Sequence, residues 1–314
     1  MQHISSGDTA VVNLGRLDLN LLVALDALLE QRSVTRAAEQ MGLSQPALSA
    51  SLSRLRRHFD DPLLARTGNA YQLTPLAVQL RERVAIALLS VERALSASSD
   101  FAPEQSTREF RLVISDYGAA VLAPRIAALL GEEAPQARLR LVPNSPHQVD
   151  GADQVLFAAA DLLIIPHGFL TDLPHEDLHT DQWCCVISEG NTQVTGELTE
   201  EHLRTLPWVL TFFGPTASTP AARQLRQTGI EPRVQVVTES FLAVPHLVTG
   251  TDRVALLQRR LADQLAPELG LRVLPVPVEV GPLREAMWWH PAYETDPEHL
   301  YLRGVVRRAA TTTT

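Results

Sequence analysis

The sequence predicts a mostly helical, winged helix-turn-helix head, a long linker helix, and a two-lobed α/β region behind it. Three observations carry this expectation. Capped helix starts lie close together at Ser33 and Ser44, an apolar stripe steps from Leu76 to Leu95, and beyond residue 107 strand-like and helix-like stretches alternate. The first implies two short helices that cross steeply, the second a helix that needs a partner for one face, and the third parallel sheets covered by helices.

Leu19, Leu22, Val23 and Leu29 mark an opening helix that buttresses the pair behind it. Ser33 stands ahead of Val34, Ala37, Ala38 and Met41, spaced i, i+3, i+4 and i+7, a hydroxyl cap followed by one apolar stripe. Gly42 falls where helices end in a left-handed residue. Ser44 can cap again at once, and Pro46 sits in the next first turn, where a missing N–H costs nothing. Leu48, Leu52, Leu55 and Phe59 then form the second stripe.

The opposite face of the second helix carries Gln45, Ser49, Ser53 and Arg56, with Ala50, Arg54 and Arg57 beside them. An ordinary solvated face carries Glu and Lys. Small hydroxyls instead allow close approach to a groove floor, Gln can pair bidentately with adenine, and Arg can hold phosphate. Gln45, Ser49 and Ser53 are therefore expected to read bases. Arg36, Arg54 and Arg66 are expected to hold phosphates, and Ser44 and Pro46 complete the set at the helix start. The chain as a whole has net charge −9, yet residues 32–66 hold six Arg against three acids. A local patch, not the net charge, governs phosphate contact.

Residues 62–74 read as a two-stranded wing turning at Gly68-Asn69, with Arg66 on it, and Thr74-Pro75 starts the next helix. Leu76, Leu80, Val84, Ala87, Val91 and Leu95 form its stripe. Residues 98–106 are a polar, Pro-containing hinge. Then come FRLVIS, ARLRLVPN and DLLIIP as strands around two helices, the second being ADQVLFAAA; a second set runs from QWCCVIS to RLADQLAPE, and LRVLPVPVEV and REAMWWHP follow as strands.

The stretch from Ser33 to Ala77 resembles the DNA-binding head of LysR-type transcriptional regulators. The signature runs through Ala37, Ala38, Leu43, Ser44, Gln45, Pro46, Ala47, Ser49, Leu52, Leu55 and Arg66. Three positions depart from it: Arg56 stands where many members carry Glu, Asp60 where they carry Gly, and Leu64 where they carry Phe. DLLIIPHGFL, ESFLAVPHLVTGTDRVALLQRRLA and VPVEVGPLREAMWWH look like the nodulation-regulator (NodD-like) branch, whose members respond to plant aromatics. The resemblance implies a periplasmic-binding-protein-like effector domain, and a long helix that pairs with its twin in a homodimer or homotetramer. The expected layout is a head at 1–74, a linker helix at 75–97, a hinge at 98–106 and an effector domain at 107–314. Within the last, lobe 1 takes about 107–166 and 271–314, and lobe 2 about 167–270, with the chain crossing twice.

Open sheets bind ligands beyond the carboxyl ends of their strands. Those ends point to Ser115, Asp116, Tyr117, Asn144, Ser145 and His167 in one lobe and Phe212 and Ser240 in the other, a set suited to a small, aromatic, polar-substituted effector. Ser240 can also cap the next helix, whose N-terminus favours an anionic group. His175 and His179 are expected in a surface loop, with no metal site. Cys184 and Cys185, adjacent in a strand, point to opposite faces and read as buried structural thiols.

The expected function is a ligand-responsive regulator that binds double-stranded promoter DNA, contacts RNA polymerase if it activates, and uses no cofactor. An enzyme is disfavoured: there is no lysine for a phosphate loop, and no G-x-G-x-x-G, H-E-x-x-H or G-x-S-x-G. A solute-binding protein without a transcriptional role shares the two-lobed fold but has no use for residues 16–74. A cytoplasmic location is expected, since no signal peptide and no membrane-length apolar run is read, Val155 to Pro166 being interrupted by Asp161.

Overall fold

The computed structural model describes residues 18–67, 70–96, 101–144, 160–212 and 218–311. They fall into two compact units, one ending at Ser96 and the other beginning at Ala97.

In the first unit, α1 (Leu19–Gln31), α2 (Val34–Gln40) and α3 (Gln45–Phe59) are followed by the antiparallel ribbon β1 (Leu64–Thr67) and β2 (Ala70–Leu73), and by α4 (Pro75–Ser96). The predicted caps form. Ser33 accepts from the Arg36 N–H and Ser44 from the Ala47 N–H, both at 3.4 Å, and Gly42 between the two helices has φ +64°. Ala37, Ala38, Leu48, Leu52 and Leu55 are buried together with Leu25, Leu28 and Leu29 of α1, so the two stripes and the opening helix share one core. Asp61 ties α3 to the ribbon, accepting from the Leu63 N–H at 2.6 Å and the Thr74 hydroxyl at 2.7 Å, while Thr74 caps α4 through the Ala77 N–H. The Gly68-Asn69 turn lies outside the described residues.

The stripe on α4 divides. Ala77 and Val84 are buried in the head's own core, with Leu80 and Leu88 packed against it, whereas Leu95 is 82% exposed.

The second unit holds two five-stranded sheets. The first has the order β4-β3-β5-β12-β6, from β3 (Glu109–Ile114), β4 (Arg138–Pro143), β5 (Leu162–Pro166), β6 (His175–Asp181) and β12 (Leu283–Trp288). The other has the order β11-β7-β10-β8-β9, from β7 (Trp183–Ser188), β8 (Pro207–Thr211), β9 (Arg233–Thr238), β10 (Val254–Gln258) and β11 (Leu271–Pro275). Helix α5 (Asp116–Glu133) follows β3. Helices α6 (Glu200–Thr205), α7 (Pro220–Gln227), α8 (Val244–Val248) and α9 (Arg259–Leu269) belong to the second lobe, and α10 (Pro297–Thr311) returns to pack on α5. The predicted helix ADQVLFAAA falls almost wholly outside the described residues. Asp161, the acid interrupting the apolar run, is 1% exposed. Its carboxylate accepts from Arg108 at 2.6 Å and from the Arg111 N–H at 2.7 Å, the kind of partnering a buried charge requires.

The chain does cross between lobes twice, but not where the sequence reading put the crossings. Residues 175–181, expected in lobe 2, pair antiparallel with β12 as the edge of the lobe 1 sheet, and residues 271–275, expected in lobe 1, pair with β7 in lobe 2. The crossings therefore fall at Gln182 and at residues 276–282. The same pairing corrects the surface loop expected at His175–His179: that segment is a strand, with an irregularity opposite Glu285 and Ala286 that lets Leu178 bulge between paired residues. Its polar residues suit an edge strand, where one side of the backbone faces solvent.

Candidate functional site

The polar face of α3 is built as the sequence suggests. Leu48, Leu52 and Leu55 anchor one side, which leaves Gln45, Pro46, Ser53 and Arg54 exposed and Ser49 half-buried on the other. The Ser53 hydroxyl donates to the Ser49 carbonyl at 2.9 Å. Arg54 reaches Asp18, the α1 cap, at 3.3 Å, and Arg36 donates to the Gln31 carbonyl at 2.9 Å. Arg66 stands exposed on the ribbon opposite Tyr71. Arg56 departs from the expected face. Its guanidinium donates to the carbonyls of Pro62 at 2.9 Å and Leu64 at 3.3 Å, bracing the entry to the ribbon.

Between the two sheets of the second unit lies a cleft lined by residues of both lobes. The cleft draws on both crossing segments, Trp183 just after the first and Leu283 and Glu285 just after the second. Its aromatic walls are Tyr117 and Phe169 from one lobe and Trp183, Phe212 and Phe241 from the other. The Phe212 and Phe241 rings meet edge to face with centroids 5.7 Å apart. Phe212 holds φ +57°, a left-handed conformation that costs a non-glycine residue energy and tends to collect at binding sites.

Asn144 Oδ1, Gln258 Oε1 and Glu285 Oε1 line the cleft, are buried, and have no hydrogen-bond partner among the described residues. Glu285 is 1% exposed; burial, with the neighbouring Asp181 adding to it, pushes its carboxyl up to about 8, so it is protonated near neutrality. Asp181 has partners on every side. It accepts from the Tyr117 hydroxyl at 2.7 Å, the Gln182 N–H at 2.7 Å and the Arg260 N–H at the start of α9 at 3.3 Å. Burial and Asp181 together raise the Tyr117 phenol far above its ordinary range. His179 lies 3.2 Å from that phenol, and burial, with Arg260 nearby, pushes it down to about 4, leaving it neutral.

The eight sequence-predicted cleft residues divide into four outcomes. Ser115, Tyr117, Asn144 and Phe212 line the cleft. Asp116 and Ser240 face each other instead: the Ser240 hydroxyl donates to Asp116 Oδ2 at 2.7 Å and the Leu242 N–H to the same oxygen at 3.0 Å. The anion expected at that helix start is thus the protein's own. His167 is not among the lining residues but turns to Asp177, 2.6 Å away. Ser145 lies outside the described residues. Glu285, Gln258 and Asp181 escaped the sequence reading because each sits inside or at the end of a strand, where the pattern shows only an interruption. Cys184 and Cys185 are free and buried, and burial pushes the Cys184 thiol up to about 12, as expected of structural thiols.

Residues 19–78 match the model of the bacterial regulatory helix-turn-helix proteins of the lysR family, and residues 103–311 match the LysR substrate binding domain. Nodulation protein D 2 of Rhizobium tropici is 35% identical over 297 residues, covering 94% of this chain and 93% of that protein. Nodulation protein D 1 of Mesorhizobium japonicum is 34% identical with the same coverage. Among solved structures, the probable transcriptional regulator PA0477 of Pseudomonas aeruginosa superposes with a TM-score of 0.68 at 29% identity, over 94% of this chain and 98% of that one. The fold is also that of CbnR in complex with its target DNA, at a TM-score of 0.66 and 18% identity, covering 93% of this chain and all of that one. With a reading head and an effector domain both matched, the chain belongs to the LysR family of DNA-binding transcriptional regulators, beside the nodulation protein D branch.

Proposed function

We propose that the interlobe cleft takes a small aromatic molecule bearing hydroxyl groups, and that its occupancy controls how the heads of an oligomer meet their promoter. The observation that carries this reading is the cleft's composition, five aromatic side chains around buried oxygens without hydrogen-bond partners. A ligand offering O–H groups would satisfy the unpartnered oxygens of Asn144, Gln258 and Glu285. Occupancy then shifts a closure equilibrium by its differential affinity for the two states.

On the DNA side, Gln45, Ser49 and Ser53 read base edges, Ser44 and Pro46 set the approach of the helix start, and Arg36, Arg54 and Arg66 hold phosphates. The acting species is a dimer or tetramer, supported by apolar surface left open on α1 and α4, namely Leu19, Val23, Val78 and Leu95. Contact with RNA polymerase, if the chain activates, a cytoplasmic location and the absence of catalysis go with the role of regulator. No helix of the described residues is long and apolar enough to cross a membrane.

Fluorescence anisotropy on the DNA upstream of the chain's own gene, against shuffled DNA over a salt series, tests the reading. Selective binding with a steep salt slope, modulated by hydroxylated aromatics, is expected. Failure to bind any duplex at low salt would remove the head's role; binding indifferent to every aromatic would remove the cleft's.

A further inference from the structure

We propose that His167, His175 and Asp177 form a binding site for a divalent late transition-metal ion such as Zn²⁺, separate from the cleft. The donor atoms of the three side chains all lie within 4.8 Å of one another. Ligands around one such ion, at bonds of about 2.0–2.2 Å, stand roughly 3–4 Å apart, so the cluster needs only a small adjustment to close. Asp177 can make it: its side chain is 66% exposed, and a short rotation opens the 2.6 Å approach between its Oδ1 and His167 Nε2.

The sheet supplies the convergence. His175 and Asp177 are two residues apart on edge strand β6, so their side chains leave the same face, and His167 follows the last residue of β5. Trp288, 2% exposed and held by a 2.8 Å bond from its Nε1 to the Ile165 carbonyl, is a fixed wall for both imidazoles, with ring centroids at 4.4 Å from His175 and 5.2 Å from His167. His175 Nδ1 donates to the Leu173 carbonyl at 3.0 Å, which leaves Nε2 with the free lone pair. That arrangement, a ligating imidazole whose other nitrogen is held by a backbone carbonyl, is the usual second shell of a metal-bound histidine.

Two imidazoles and one carboxylate favour zinc, nickel or copper over magnesium or calcium. Three protein donors leave further positions for water or an outside ligand. A bound ion would join edge strand β6 to the end of β5. A plain hydrogen-bonded surface pair accounts for His167 and Asp177 but gives no reason for a third donor to converge on them.

The test uses the untagged full chain stripped with chelator, titrated calorimetrically with Zn²⁺ and spectroscopically with Co²⁺, whose visible bands report nitrogen and oxygen ligation. One equivalent per chain is expected. His167→Ala and His175→Ala should each weaken binding at least about tenfold, and Asp177→Asn, which keeps the side chain's shape, should alter the Co²⁺ bands. His246→Ala, on an exposed histidine of α8, should change nothing. Undiminished one-to-one binding in the His167→Ala/His175→Ala double variant, or no uptake by the native chain at millimolar metal, would overturn the assignment. DNA anisotropy of the same variants separates this outcome from a failure of the regulator reading.

Discussion

The Ser240 hydroxyl donates to Asp116 Oδ2 at 2.7 Å, and the two residues stand on opposite lobes, 124 positions apart in the chain. Asp116 opens α5 after the first strand of lobe 1, while Ser240 precedes α8 in lobe 2 and also accepts from the Ala243 N–H at 3.1 Å. A carboxylate of one lobe thus sits against the start of a short helix in the other and forms a latch beside the cleft.

Breaking this latch should shift the lobes toward an open arrangement. A hydrogen bond to a charged group contributes about 1.5–3 kcal/mol, so Ser240→Ala or Asp116→Asn should change the closure equilibrium by roughly tenfold or more. Small-angle scattering should show a larger radius of gyration for either variant, and the double variant should add little, because the two residues form one contact. Native dimensions in both single variants would show that other contacts hold the lobes.

Glu285 should make stability fall as pH rises. Its carboxyl is pushed up to about 8 in the fold against an ordinary value of 4.5. The stability linked to its protonation is therefore fully present below 4.5, erodes as the unfolded chain ionises, and is gone once the folded group ionises near 8. Glu285→Gln should flatten the decline of urea midpoints across that window. An unchanged slope would assign the pH dependence to other groups.

Asp60 ends α3 in a left-handed conformation, φ +49° and ψ +38°. Asp60→Gly relieves the Cβ clash of that conformation and should stabilise the head by up to about 1 kcal/mol, with DNA affinity unchanged. Urea unfolding monitored on the helical signal would reveal the gain, and a loss would mean that the Asp60 side chain supports the cap.

On the DNA face, Ser49→Ala should relax sequence preference while leaving the salt slope alone. Arg66→Ala should weaken binding to every duplex alike and reduce the slope by about one unit. Arg54→Ala should likewise weaken binding without regard to sequence, part of the loss being offset by release of Asp18, its partner at 3.3 Å. If Ser49→Ala preserved the preference, base reading would lie elsewhere on α3.

The head was legible because its determinants are local. Ser33, Gly42, Ser44 and Pro46 act on backbone groups within four residues, and the stripes need only helical periodicity to find their faces. Arg56 shows the limit of that reading. Periodicity placed it on the polar face, but the carbonyls of Pro62 and Leu64 turn it toward the ribbon. In the effector domain, strand ends identified Ser115, Tyr117, Asn144 and Phe212, since a parallel sheet delivers those ends to one rim. His167 obeyed the same rule and still missed the cleft, because Trp288 and edge strand β6 offered its imidazole a packed and hydrogen-bonded place.

By itself the sequence determined the class of head, the caps that shape it, the polar face of α3, and the existence of two α/β lobes, because these depend on spacing and on contacts within a few turns. Tertiary structure alone decided that residues 175–181 complete the first sheet and residues 271–275 the second, that Asp116 meets Ser240, and that Glu285 lies beside Asp181 at the cleft. Alternation along a strand states which residues are buried, but partner choice across a sheet is a long-range competition among similar apolar edges. Only the assembled fold settles which carboxylate is partnered, which is left neutral, and which imidazoles converge.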